Sequence, residues 1–136
     1  MLEANKNIVR AFVEAINAKD WSTLRQLVAP DFLRHSVAAG EPRVASVDDL
    51  IRFLEQEFPD ACESIEDILA EKDKVAVRHR FRGTQKGPMG PFPPSGKVLD
   101  ATYLALYRVE EGRIVEAWAE WDNMAGLRQL GHQSAA

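Results

Sequence analysis

Apolar positions recur at helical spacing through the first part of the chain and at every second position afterwards. Ile8, Phe12, Ala15 and Ile16 put one apolar stripe on a helix over residues 5–19. Asp20 can cap a second helix with apolar positions Trp21, Leu24, Leu27 and Val28, which Pro30 ends. A third helix starts after Ser46, with Asp49 as the acid of a capping box. Val47, Leu50, Ile51, Leu54 and Phe58 form its buried face and Pro59 stops it.

From Glu63 onward the period is two. Residues 65–70 read as a strand, 71–73 as its turn and 74–84 as a long partner, with Val75, Val77, His79 and Phe81 on one side and Arg78, Arg80 and Arg82 on the other. A further strand covers 98–109, and Glu110-Glu111-Gly112 turns the chain into a last strand ending near Trp121. Three helices followed by four strands in hairpin order, closed by a helical turn, predict an α+β domain with helices packed on one side of a mainly antiparallel sheet. In the last strand the alternation assigns Ile114, Trp118 and Asp122 to the inner face. Val115, Ala117, Ala119 and Trp121 fall on the outer one. So continuous an apolar outer face predicts at least a homodimer, packed sheet on sheet.

Composition narrows the classes. A chain of 136 residues is one ordinary domain and buries roughly 68% of its unfolded surface, enough for a core without staples. A net charge of -4 argues against a nucleic-acid binder; the arginine row at 78, 80 and 82 reads as a solvated or partner-facing surface. Cys62 is the single cysteine, which excludes an intramolecular disulfide and a thiolate metal site. His35, His79 and His132 lack metal-ligand spacing, so no metal is expected. No signal layout and no membrane-length apolar run is present, and a soluble cytoplasmic protein is the expectation.

Residues 87–97, GPMGPFPPSGK, hold four prolines and three glycines and cannot pair continuously in a sheet. Ser95-Gly96-Lys97 suggests a phosphate loop, but Pro91 and Val98 stand where that motif needs glycine and a hydroxyl residue. A pocket rim or a plain connection remains.

If a pocket lies between sheet and helices, its chemistry comes from polar side chains among inward apolar ones. His79, between Val77 and Phe81, is one. Asp122 is another, in line with Trp118 and Ile114, and desolvation by such neighbours makes a carboxylate a better proton acceptor. Capping the following helical turn is the other reading of Asp122, and on this segment alone the favoured one. His35 lies where the chain crosses toward the sheet. Tyr103 and Tyr107 share a strand face, and Glu120 is either a second acid on Asp122's face or a partner for a neighbouring strand.

The segment GRIVEAWAEWDNMAGLRQLG at 112–131 resembles the closing signature of the SnoaL-like polyketide cyclases, within the NTF2-like superfamily of cone-shaped α+β domains. FPDACESIEDILAEKDKVAVRHRFRGTQKG at 58–87, GPFPPSGK at 90–97 and YRVEEGRI at 107–114 agree, and the likeness covers about residues 5–131. The resemblance implies a curved sheet with three N-terminal helices enclosing a pocket, and Asp122 as general base. It further implies an intramolecular aldol-type ring closure on a small hydrophobic or polycyclic molecule. No cofactor is implied, because the substrate's own carbonyls delocalise the charge. His79 and His35 are then candidates for protonating the new alkoxide, and Trp118, Tyr103, Phe81 and Glu120 for contacting the substrate. A non-catalytic binding protein, or another proton-transfer enzyme such as an isomerase, dehydratase or epoxide hydrolase, is the alternative on the same fold.

Overall fold

A computed structural model describes residues 1–38 and 41–132. The elements are α1 (Leu2–Ala18), α2 (Trp21–Leu27), β1 (Val28–Ala38), β2 (Glu41–Ala45), α3 (Val47–Arg52), β3 (Cys62–Glu71), β4 (Lys74–Thr84), β5 (Val98–Glu110), β6 (Arg113–Glu120) and α4 (Asn123–Gln129). The sheet has six strands in the order β2-β1-β6-β5-β4-β3. Every pairing is antiparallel except β1 with β6, which is parallel. The curved sheet stays open, and α1, α2 and α3 pack against its inner face.

The expected helices form, with the expected caps. Asp20 accepts a bond from the Thr23 amide at 3.1 Å. Ser46 and Asp49 close a full capping box, and α3 runs on into a π-helical turn over Phe53–Glu57 before Phe58. Two strands were not expected: β1 and β2 lie between α2 and α3. The second helix ends at Leu27, and Pro30 sits in β1 where the register against β6 shifts between Val28 and Leu33, the irregular stretch in which a proline is tolerated.

The core lies between the inner sheet face and the helices. Val9, Leu24, Val75, Ile114 and Leu130 are fully sealed from solvent, each worth about 1.5–3 kcal/mol relative to exposure. Arg78, Arg80 and Arg82 point outward as expected, where Asp67 and Asp100 pair with them.

The face assignment of β6 needs correcting. Val109 pairs with Ile114 but Arg108 pairs with Glu116, so Val115 is an extra residue, a β-bulge. One inserted residue flips every following side chain to the other face. Ile114, Ala117 and Ala119 therefore share the buried inner face, while Glu116, Trp118 and Glu120 stand on the outer one. The outer face is thus mixed rather than continuously apolar, which removes the argument that pointed to a homodimer.

Candidate active site

Between the sheet and α1, α3 and the π-turn lies a cavity of about 380 Å³, within the range of small-molecule sites. Phe12, Phe53, Phe58 and Phe81 form an apolar wall, and Met89 and Gly90 of the proline-rich connection form part of the rim. The connection is fixed by Gln85, fully buried, whose amide donates to the carbonyls of Gly87 and Pro93 (3.1 Å each) while its oxygen accepts from Ser95 at 3.1 Å.

The polar side of the cavity is one cluster. Glu63, at the start of edge strand β3, is 8% exposed, and the Tyr103 hydroxyl donates to its carboxylate. Asn17 of α1 clamps the Glu63 backbone in both directions, each bond 2.7 Å. Behind them His79 is buried, its ring stacked on Tyr103 at 4.5 Å and its Nε2 2.7 Å from the Tyr107 hydroxyl. Its Nδ1 has no hydrogen bond and lies 3.4 Å from Glu63 Oε1, an orphaned polar atom one small shift from bonding. Arg34 of β1 and Tyr107 also line the cavity.

Burial sets the protonation states. Desolvation pushes the Glu63 carboxyl above its ordinary range, against the pull of the Tyr103 hydrogen bond and the Arg34 charge. Desolvation, helped by Arg34, lowers His79 to about 4, which keeps the imidazole neutral at pH 7. Both tyrosines are held protonated, chiefly by burial. A raised acid and two tyrosine hydroxyls on one cavity wall, backed by a neutral imidazole, can accept a proton, hold it and return it. Glu57 is a second carboxyl on the lining, and it too is raised by desolvation.

Of the residues singled out from the sequence, His79, Tyr103 and Phe81 come together here. Asp122, His35, Trp118 and Glu120 do not. Asp122 is exposed and does not line the cavity; its carboxylate accepts from the Ala125 amide at 3.0 Å as the cap of α4. The bulge at Val115 and the turn into α4 put Trp121, not Asp122, on the inner side, where its ring lines the cavity and its Nε1 donates to the Val37 carbonyl at 2.7 Å. His35 is on the outer face, 2.7 Å from Glu116 and stacked on Trp118 at 5.7 Å. Glu120 is exposed at the end of β6. We expect Asp122→Ala to lower stability by about 0.5–2 kcal/mol through loss of the cap, read as a fall in thermal midpoint. Any proton-transfer activity of the parent should stay within about twofold; a drop of ~10² or more, the contribution of a general base, would restore Asp122 as the base.

Sequence reasoning missed Glu63 and Arg34. The signal for Glu63 was its two-residue spacing from Ile65 on the inner face of β3. For Arg34 it was the alternation Phe32, Arg34, Ser36, hidden because β1 was not recognised as a strand.

A curved open sheet wrapped by helices around a cavity of this kind defines an NTF2-like cone with a candidate acid–base site. The chain belongs to the SnoaL-like polyketide cyclase family, whose model matches residues 6–130. Among solved structures it resembles IdmH of Streptomyces antibioticus, a proposed polyketide cyclase, at 34% identity and TM-score 0.74, covering 93% of this chain and 98% of that one. It also resembles AclR of Streptomyces galilaeus, a proposed hydroxylase, at 25% identity and TM-score 0.79, covering 100% and 90%. A SnoaL-like protein from Jannaschia sp. shares the fold at TM-score 0.81 and 23% identity, covering 98% and 96%. No curated protein matches the sequence.

Proposed function

We propose that the chain catalyses a cyclase-type proton transfer on a small, largely apolar carbonyl compound, with Glu63 as the base. The observation that carries this reading is a carboxylate 8% exposed on the wall of a cavity of about 380 Å³ and bonded to a tyrosine hydroxyl. Ionised Glu63 removes a proton from a carbon next to a carbonyl. The enolate carbon attacks a second carbonyl of the same molecule, forming one carbon–carbon bond, and the new alkoxide takes the proton back from Glu63. Nothing is oxidised or lost, so the product is an isomer of the substrate. Tyr103, kept protonated by burial, has one O–H, which donates to Glu63 while that carboxylate is ionised; once Glu63 has taken the proton, the hydroxyl is free to turn to the developing oxyanion. His79 backs the tyrosine ring and faces Glu63, which makes it a positioning residue. Asp122 and His35 have no part in this scheme.

The test uses β-tetralone, a bicyclic ketone that the cavity accommodates, and follows deuterium uptake beside its carbonyl by NMR in D2O. The parent should accelerate uptake over buffer; no acceleration would leave a binding protein without turnover, the alternative on this fold. The pH profile adds a sign. Glu63 accepts a proton only when ionised, so the rate climbs as pH rises through its raised pKa, above the ordinary carboxylate range. Tyr103 lowers that pKa by its hydrogen bond. Tyr103→Phe should therefore move the ascending limb to still higher pH; a shift to lower pH would contradict the arrangement.

A further inference from the structure

We infer that Arg34 anchors an anionic oxygen of the ligand, which makes the substrate class a carbonyl compound of bicyclic size or larger that bears a carboxylate. The inference deepens the reading above and rests on the cavity being the reaction site.

Arg34 is placed to act inside rather than outside. On β1 the side chains of Phe32, Arg34 and Ser36 alternate onto the cavity lining. Among the described residues its one hydrogen bond is to the Ser36 hydroxyl at 3.4 Å, longer than a well-made N–H···O bond. No carboxylate lies within 4.0 Å of its guanidinium among the described residues, whereas Arg52, Arg78, Arg80 and Arg108 each have such a partner. A half-buried cation without a counter-ion is costly unless something repays its lost hydration.

The neighbours do not cancel its charge. His79 is neutral, both tyrosines are protonated, and burial pushes Glu63 toward its own neutral form. Even ionised, Glu63 lies beyond the 4.0 Å of an ion pair with Arg34 and is bonded to Tyr103 instead, so the guanidinium's N–H groups stay open to an anionic oxygen of a guest. A guanidinium offers two parallel N–H groups that match a carboxylate. Arg43, exposed on the lining from β2, is a second positive group, but its charge also acts on Glu57 across the lining, which leaves Arg34 as the anchor.

The ligand probes are naphthoate and its neutral isostere naphthamide, titrated by calorimetry at fixed ionic strength. The parent should bind naphthoate at least about tenfold more tightly, the scale of a charge-assisted pair. Arg34→Gln should erase the preference, and Arg34→Lys should retain part of it, each variant being checked for the parent's near-ultraviolet circular dichroism. Equal binding of the two probes by the parent overturns the inference. So does a preference that survives Arg34→Gln. Glu63→Gln separates the two proposals, since it should keep the naphthoate preference while losing deuterium uptake into β-tetralone. A variant that keeps both refutes Glu63 as base and leaves Arg34 as anchor; one that loses uptake in a protein indifferent to naphthoate refutes only the anchor.

Discussion

Glu63→Gln should cut deuterium uptake into β-tetralone by roughly 10²- to 10⁴-fold, the usual contribution of a placed general base. The amide keeps the shape of the carboxyl and can still accept the Tyr103 hydrogen bond, so the loss reports basicity rather than packing. Burial makes Glu63 effective and also limits it. Desolvation lifts its proton affinity, while the Tyr103 hydroxyl and the Arg34 charge restrain the lift so that an ionised fraction survives. Folding linkage gives the same balance a second readout. Because the folded-state pKa lies above the unfolded one, Glu63 favours the folded state below the unfolded value. It loses that contribution as pH rises through the raised pKa. Glu63→Gln removes the titration, so its stability should fall less over that interval than the parent's. Unchanged uptake in Glu63→Gln would end the proposal.

Phe58→Ala should cost about 3–5 kcal/mol of stability, the range for a buried phenylalanine truncated to alanine. Phe58 is 1% exposed, packs edge-on against Phe81 at 5.4 Å and lies 5.2 Å from Phe53. Its position just after the π-turn lets one ring serve both the core and the cavity wall. The measurement is the midpoint of urea unfolding, which should drop with little change in slope. Val44, 59% exposed on the rim, is the control: Val44→Ala should stay within about 0.5 kcal/mol of the parent. A Phe58→Ala loss below about 1 kcal/mol would mean that the aromatic wall collapses to fill the gap.

The helices and the four long strands were legible because their buried faces are apolar and regular. Asp20, Ser46 and Asp49 marked the starts of α2 and α3, and Glu110-Glu111-Gly112 the hairpin before β6. The site was least legible, for a physical reason. Cavity walls set polar residues at inward positions, so Arg34 and Ser36 interrupt the very alternation that would reveal β1, and Pro30 argues against a strand there. Glu63 stands at the first inward position of β3, before enough of the strand has passed to establish a period. The bulge at Val115 did the most damage. An inserted residue is invisible to a two-residue count, and it carried Asp122 and Trp118 inward on paper while the chain carries Trp121 there instead. His79, Phe81 and Tyr103 were placed correctly because β4 pairs with β5 without a register shift.

Gln85 holds both flanks of the proline-rich connection, tying Gly87, Pro93 and Ser95 into one rigid frame. That side of the opening behaves as a fixed jamb. The opposite flank is the outermost strand, where Arg43 and Val44 line the cavity and the backbone is bonded along one edge alone. Substitutions at Arg43 and Val44 should then alter which molecules fit the opening while leaving Glu63, on the far edge strand, untouched.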